Sequence, residues 1–348
     1  MKHWLESIKV GKIMNKSEQI FKGEVDVTYL FKKSYRKTNG LVIIFSAFPS
    51  KGQPPMYNYI RTLSGIDCNK LFILDRFGDD DYASYYLCEN REFAIERSVI
   101  ALINTLVKEN DIKHIISGGS SKGGAASLYY GIKYGFDNIV VASPQYLLGN
   151  FLLKEDKDRQ DSAIFMAGGN DRRSRKYLNA IIPSTIEETP HKPHIFIHLG
   201  RYEAHYKDHV KPLIKKLDKA QMKYTLDLGE YSRHNDVMKY FPKLFHDHVR
   251  DILNYPHISI QQSIIGECSL GAECTFTAQT DAASNKIAWY LYHNDNKVAS
   301  TEYTTTDKDY TVRLESKGQY YVKAFCMNND KLQCSATSES IMVNVARV

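Results

Sequence analysis

Long hydrophobic runs are absent from this sequence of 348 residues. No stretch approaches the ~20 apolar residues that a membrane-spanning helix needs, and the first residues lack the apolar core of a signal peptide. We therefore expect a protein without an integral membrane segment that works in the cytoplasm, free or associated with the inner face of the membrane.

Cysteine is scarce and the charge is nearly balanced. The six cysteines form no C-x-x-C pair and none lies at zinc-finger spacing from a histidine, so we expect neither a disulfide scaffold nor a metal site. The 46 lysines and arginines exceed the 40 aspartates and glutamates only slightly and are spread along the chain. A nucleic acid is therefore not an expected partner.

Short apolar runs alternate with amphipathic segments from about residue 40 to residue 254. This alternation is typical of a parallel sheet covered by helices, an α/β fold. The predicted strands are Leu41–Ser46, Lys70–Asp75, His114–Ser117, Asn138–Ser143, Ser162–Ala167, His194–Leu199 and Tyr224–Leu228. The predicted helices are Arg91–Val107, Gly124–Tyr134, His209–Gln221 and Val237–Leu253.

The hydrophobic pattern of the sequence changes near residue 256. Long segments of helical periodicity end there, and short segments of alternating polar and apolar residues, rich in Thr, Ser, Asn and Tyr, follow. We predict two domains, residues 1–256 and residues 257–348, the second an all-β sandwich of immunoglobulin-like type with Trp289 in its core. Its tyrosines could bind a sugar chain or form a homo-oligomer, although tyrosines of this kind commonly belong to core and surface packing. The first part carries a formal charge of +8 and the second −2.

The strongest motif is G-x-S-x-G at Gly119–Gly123, directly after a predicted strand and before a predicted helix. This placement is that of a nucleophile elbow, in which a sharp turn lifts a serine hydroxyl above the sheet. Ser121 is the candidate nucleophile, and the backbone N–H of Lys122 is a candidate oxyanion donor. The alternative, a glycine-rich turn that binds phosphate, lacks the G-x-x-x-x-G-K-[ST] and G-x-G-x-x-G patterns.

A base and an acid follow in the chain order expected for such a sheet. Glu203 and His234 each lie in a loop after a predicted strand, at the sheet edge where we expect Ser121. His234 is the candidate base and Glu203 the candidate acid. Asp208 is the main alternative acid. Two other loop carboxylates stay open as alternatives, Asp171 and Glu230.

Two further features lie near this edge. His205 and His209 have metal-ligand spacing, but without a glutamate between them we expect two partly solvated histidines near a helix start. The second oxyanion donor is expected after the first predicted strand, at the backbone N–H of Ala47 or Phe48, since Pro49 has no N–H.

These residues carry a family resemblance. The segment 40–254 resembles the α/β-hydrolases, with the elbow at Ser121, the acid at Glu203 and the base at His234. The D-x-F-G run at Asp75–Gly78 and the G-x-x-E-x-x-Y run at Gly200–Tyr206 are similar to hydrolase-like proteins of bacterial capsule loci and of the accessory secretion system. That group has polysaccharide or glycoprotein O-acetyltransferases among its members.

Three functions follow as alternatives. The resemblance implies a serine O-acetyltransferase that takes acetyl from acetyl-CoA, without a tightly bound cofactor, and passes it to a polysaccharide hydroxyl. An esterase would use the same first half-reaction with water as the acceptor. A non-catalytic glycan-binding or assembly protein on a hydrolase scaffold is the third.

Overall fold

The computed structural model describes residues 18–49, 53–77, 83–154 and 157–344. Contacts divide the chain into two compact units, residues 1–249 and residues 250–348. The predicted boundary at residue 256 falls shortly after this division. Among the described residues, no helix combines the length and the apolar character needed to cross a bilayer.

An eight-stranded sheet forms the centre of the first unit. Its strands, in chain order, are β1 Gln19–Lys22, β2 Asp26–Lys32, β3 Gly40–Phe45, β4 Asn69–Ile73, β5 His114–Ser120, β6 Asn138–Ala142, β7 His194–Gly200 and β8 Tyr224–Gly229. They are arranged in the order β1-β2-β4-β3-β5-β6-β7-β8. Strands β3 to β8 are parallel, whereas β1 and β2 add an antiparallel edge that the sequence analysis did not predict.

The helices of this unit follow the strands along the chain. They are α1 Ala94–Glu109, α2 Lys122–Tyr134, α3 Leu148–Leu152, α4 Lys157–Ala167, α5 Arg172–Glu188, α6 Lys211–Lys219 and α7 Val237–Ile252. A π-helical turn, Tyr206–Val210, leads directly into α6, and a short 3-10 turn, His234–Asp236, leads into α7.

One predicted strand is wrong. Residues 162–167 belong to helix α4, and β6 pairs directly with β7, with no strand between them. Within this segment Ala163 and Met166 are buried, whereas Ile164 between them is 42% exposed. Burial at a spacing of three residues is helical, because one face of the segment packs on the core and the other meets solvent.

The parallel strands are apolar because both faces of the sheet are covered. Every residue of β3 is buried, and alternate side chains of β3 and β4 enter the large core formed with the helices. The carboxyl ends of parallel strands lie at one sheet edge, and the loops at that edge are where ligands bind in folds of this type. The segments that follow β3, β5, β6, β7 and β8 all lie there.

The second unit is built from strands. These are β9 Ile258–Gln262, β10 Gly266–Ser269, β11 Glu273–Thr280, β12 Lys286–His293, β13 Asn296–Ser300, β14 Asp309–Arg313, β15 Gly318–Met327, β16 Gln333–Thr337 and β17 Ile341–Asn344. Six of them form one sheet and β14, β11 and β9 form another, and side chains of both sheets share one core. Trp289 lies in that core at 1% exposure. The strand-rich character is confirmed, and the immunoglobulin-like type stays a prediction.

Candidate active site

Ser121 lies at the sharp turn between β5 and α2. Its backbone has a positive φ, with φ 55° and ψ −114°, which is uncommon for a residue with a Cβ atom. Glycines on both sides are required because the backbones approach closely. A Cβ on Gly119 would lie 2.7 Å from the carbonyl carbon of Gly123, and one on Gly123 would lie 2.2 Å from the carbonyl oxygen of Phe45. The turn therefore has the geometry of a nucleophile elbow.

The structure brings the three predicted side chains together in one line. His234 Nε2 lies 3.0 Å from Ser121 Oγ, and His234 Nδ1 lies 2.5 Å from Glu203 Oε1. The Glu203 side chain is 1% exposed, whereas one third of the His234 side chain is open to solvent. The serine is thus hydrogen-bonded to an imidazole, and a buried carboxylate orients that imidazole.

Two hydrogen-bond donors contact Oε2, the oxygen of the Glu203 carboxylate that does not face His234. The Ser143 hydroxyl donates to Oε2 over 2.8 Å, and the Gly200 N–H points at the same oxygen over 3.4 Å. Burial acts to raise the pKa of this carboxyl, but the hydrogen bonds from His234 and Ser143 outweigh it, so the pKa lies below its ordinary value. Glu203 is therefore ionised at neutral pH.

The alternative acids are engaged elsewhere. Asp208 pairs with Lys154 at the surface, over 3.2 Å. Asp171 accepts a hydrogen bond from Ser174 N–H at the start of α5. Glu230 pairs with Arg201. None of these carboxylates is bonded to His234 in the described part of the chain.

The two extra histidines are more enclosed than expected. His209 is buried, and its Nδ1 accepts the backbone N–H of Leu147, so the expectation of a partly solvated side chain is wrong for this residue. His205 stacks on His234, with ring centroids 4.2 Å apart. Burial lowers the pKa of His205 to about 3 and that of His209 to about 4. Both rings are therefore neutral near pH 7, and His205 limits the movement of the His234 ring.

Glu203, His205 and His234 have potential metal-ligand atoms within 4.8 Å of one another. However, the 2.5 Å between His234 Nδ1 and Glu203 Oε1 is a hydrogen-bond distance. Two ligands of one tetrahedral zinc ion, each at ~2.0–2.2 Å, would lie more than ~3 Å apart. The arrangement is that of a hydrogen-bonded pair rather than of a ligand set.

The predicted oxyanion donors differ in availability. Within the described residues, the Lys122 N–H at the start of α2 and the Phe48 N–H have no hydrogen-bond partner. The Ala47 N–H instead donates to Asn58 Oδ1 over 2.8 Å. This amide is already occupied, which leaves Phe48 as the donor from that loop. Residues 50–52 of the loop lie outside the described residues.

The side chain of Lys122 has a separate role beneath the turn. Its Nζ lies 2.8 Å from Asp75 Oδ2, and both side chains are at most 1% exposed. Asp75 also accepts the N–H and the hydroxyl of Ser84. The buried ion pair therefore joins the elbow to the segment after β4. The Asp75–Gly78 run begins with this aspartate, and its Gly78 lies outside the described residues.

The sequence analysis missed Gln145. This residue is fully buried after β6, and its Nε2 lies 2.7 Å from Ser121 Oγ. The Tyr85 hydroxyl donates to Gln145 Oε1 over 2.5 Å. The sequence S-P-Q carries no motif that would have revealed the contact, which depends on the pairing of β5 with β6.

A cavity of about 430 Å³ lies elsewhere in the first unit. It is lined by residues of α2, α5 and neighbouring segments, among them Tyr129, Lys133, Tyr177 and Glu188. None of the candidate catalytic side chains lines it. The cavity is therefore separate from the site at Ser121.

Similarity to known proteins is found at the level of the fold. No family model matches the chain, and a search of curated proteins finds no match. Among solved structures, the capsule O-acetyltransferase of Neisseria meningitidis serogroup A is similar at a TM-score of 0.57 and 22% identity, over 67% of this chain and 93% of that one. The fold is that of the α/β-hydrolases.

Two other structures have the same fold. A chain of the Glycosylation Associate Protein (Gap123) complex from Streptococcus agalactiae matches at a TM-score of 0.56 and 16% identity, over 68% of this chain and 46% of that one. An acylaminoacyl peptidase from Pyrococcus horikoshii matches at 0.51 and 11%, over 70% of this chain and 42% of that one. At these identities the similarity establishes the fold. Activity has to be argued from the site.

Proposed function

We propose that this protein is a serine O-acetyltransferase that moves acetyl from acetyl-CoA, through an acyl-Ser121 intermediate, to a hydroxyl of a bacterial capsular or cell-surface polysaccharide. The observation that carries the proposal is the hydrogen-bonded line from Ser121 Oγ through His234 to Glu203. A serine in this arrangement can attack an acyl carbonyl.

In the first half-reaction, Ser121 Oγ attacks the thioester carbonyl while His234 Nε2 takes its proton. Glu203 stabilises the imidazolium that forms. The Lys122 and Phe48 N–H groups are the proposed donors to the oxyanion. The intermediate collapses when the carbon–sulfur bond breaks, and His234 returns the proton to the leaving thiolate.

In the second half-reaction, His234 takes the proton of a sugar hydroxyl, whose oxygen attacks the acyl-serine. Collapse releases the acetylated sugar, and Ser121 Oγ recovers its proton from His234. Water in place of the sugar gives an esterase, the second candidate, which uses the same groups.

Two observations favour the transferase. A solved structure of the Neisseria capsule O-acetyltransferase is in complex with CoA, at a TM-score of 0.56 to this chain. The sequence before residue 258 carries a formal charge of +8, which suits the anionic CoA or an acidic glycan. We place the reaction in the cytoplasm, because acetyl-CoA and capsule precursors are available in that compartment.

The test is the intact mass of the protein after incubation with acetyl-CoA. We expect one added acetyl group in the wild type and none in Ser121→Ala, which removes a single oxygen from a loop above the sheet. An acetylated Ser121→Ala protein, or an unmodified wild type, would contradict the proposal. Addition of capsule polysaccharide then distinguishes transfer, which yields acetylated sugar, from hydrolysis, which yields free acetate.

A double variant tests whether the serine and the histidine act together. Residues of one catalytic unit have strongly non-additive effects. We therefore expect the residual turnover of Ser121→Ala/His234→Ala to be no lower than that of Ser121→Ala or of His234→Ala alone. A much larger loss in the double variant would show that the two side chains act independently.

A further inference from the structure

We propose that Gln145 is a further catalytic residue, a side-chain hydrogen-bond donor to Ser121 Oγ that Tyr85 holds in its donating orientation. The inference rests on the proposed chemistry of Ser121. It adds a second side-chain contact to the nucleophile, beside the base.

The direction of each hydrogen bond follows from proton accounting. The His234 Nδ1–H donates to the ionised Glu203, so Nε2 carries a lone pair and accepts the Ser121 hydroxyl proton. Ser121 Oγ has a single proton, so it can only accept from Gln145. The atom of Gln145 that faces it, at 2.7 Å, must therefore be the amide nitrogen.

Tyr85 fixes this orientation from the other end. The remaining Gln145 atom, Oε1, accepts the Tyr85 hydroxyl over 2.5 Å. Tyr85 is 1% exposed, and burial holds the pKa of its hydroxyl well above the ordinary value, so the group stays a donor. A flip of the amide would remove the acceptor of the Tyr85 hydroxyl proton and the donor to Ser121 Oγ together.

The backbone holds the glutamine in place. The Ser121 N–H donates to the Ala142 carbonyl over 2.9 Å, and the Gln145 N–H points at the Ser121 carbonyl over 3.4 Å. Pro144, directly before Gln145, has a restricted φ. Ser143 of the same tripeptide donates to Glu203. One short segment after β6 therefore contacts both the nucleophile and the acid.

The chemical consequence depends on the charge of Ser121 Oγ. When His234 takes the proton, negative charge develops on Oγ, and a donor fixed beside it stabilises that charge without reorganisation. The same holds when Oγ leaves the acyl-enzyme in the second half-reaction. We therefore expect Gln145 to accelerate both half-reactions and to contribute little to the binding of the acyl donor.

The experiment measures the second-order rate at which a fluorophosphonate probe labels the full-length protein, read as intact mass. Ser121 Oγ forms a bond to phosphorus, fluoride leaves, and His234 takes the proton. Gln145→Met keeps the length of the side chain but has no N–H. Loss of one oxyanion-hole donor costs ~10²–10³-fold in other enzymes, and by analogy we expect labelling to slow by about 10²-fold.

Two tyrosine variants separate a catalytic role from a structural one. Tyr85→Phe frees the amide to rotate, and we expect labelling to slow by about tenfold. When Tyr85→Phe is added to Gln145→Met, we expect no loss beyond that of Gln145→Met alone. Tyr59→Phe is the matched control, since Tyr59 is also buried but its hydroxyl donates to Ser120 Oγ over 2.7 Å. We expect this variant to label at the wild-type rate.

The outcomes are distinguishable. An unlabelled wild type, or a Ser121→Ala protein that is labelled equally fast, overturns the proposed function itself. A labelled wild type together with a folded Gln145→Met that reacts within threefold of it overturns only the role of Gln145. Should Gln145→Met not fold, the isosteric Gln145→Glu and the comparison of Tyr85→Phe with Tyr59→Phe decide the matter. Equal labelling rates of those two tyrosine variants contradict the inference.

Discussion

Replacement of the candidate acid by its amide, Glu203→Gln, is expected to impair the reaction through the tautomer of His234. The far oxygen, Oε2, faces two donors, the Ser143 hydroxyl and the Gly200 N–H. The amide oxygen of the glutamine will take that position, because an NH2 group there would oppose the fixed Gly200 N–H. The NH2 group must then face His234 Nδ1.

This orientation reverses the proton pattern of the base. Nδ1 becomes an acceptor, so the ring proton lies on Nε2, which faces Ser121 Oγ over 3.0 Å. Such an imidazole cannot accept the serine proton. Loss of the correct tautomer costs about 10⁴-fold in comparable triads, which corresponds to about 5 kcal/mol in the activation free energy. Residual activity is expected, because the oxyanion donors and Gln145 are unchanged.

Fluorophosphonate labelling measures this effect directly, and circular dichroism confirms that the variant is folded. Asp208→Asn is the matched control, since Asp208 lies at the surface against Lys154 and should label within about threefold of wild type. A folded Glu203→Gln that keeps a tenth of the wild-type rate would refute the tautomer argument. A larger loss in Asp208→Asn would assign the acid to that residue instead.

Further predictions concern stability and the second unit. Lys122→Met leaves the buried Asp75 carboxylate without its cationic partner and should lower the free energy of unfolding by about 3–5 kcal/mol in urea titrations. The double variant Lys122→Met/Asp75→Asn should recover at least half of that loss. Equal losses in the single and double variants would contradict a buried ion pair. Folding lowers the pKa of His209 from 6.5 to about 4, so the unfolded state takes up the proton at a higher pH than the folded state. The free energy of unfolding should therefore decrease by about 3 kcal/mol as the pH falls from 6.5 toward 4. His209→Gln should show a smaller loss over that pH window, and an unchanged loss would assign the acid sensitivity to other groups. A chain truncated after Asn254 keeps Ser121, Glu203 and His234 and should still be acylated by a small activated ester. We expect it to use a polymeric acceptor less well or to lose its association state. A truncated protein that is folded but cannot be acylated would show that the second unit contributes to the first chemical step.

The six parallel strands could be predicted from the sequence because each is a short and mostly apolar run between polar segments. The run at Ser162–Ala167 has the same composition but is helical. Periodicity does not distinguish a short buried strand from a buried helix segment, and the charged residues before this run belong to the same helix. The antiparallel strands β1 and β2 were not predicted, although Val27 and Leu30 of β2 are buried. Their signal is weak because their polar faces meet solvent.

The candidate triad could be predicted because Ser121, Glu203 and His234 each follow a strand of one parallel sheet, and topology alone brings such loops to one edge. Contacts that depend on side-chain packing could not be predicted from the sequence. The stacking of His205 on His234 and the occupation of the Ala47 N–H by Asn58 both require the path of the chain in three dimensions. The partner of Lys122, Asp75, likewise comes from another strand end.

The positive φ at Ser121 also bears on the third function, a scaffold without catalysis. A residue with a Cβ in such a sparsely populated conformation costs about 1–3 kcal/mol, which glycine avoids. Ser121→Gly should therefore be more stable than Ser121→Ala, although both lack the hydroxyl. A chain that had abandoned acyl chemistry would gain stability from glycine at this position. This chain instead has a serine there, and the serine hydroxyl is bonded to the candidate base His234 and to the amide of Gln145.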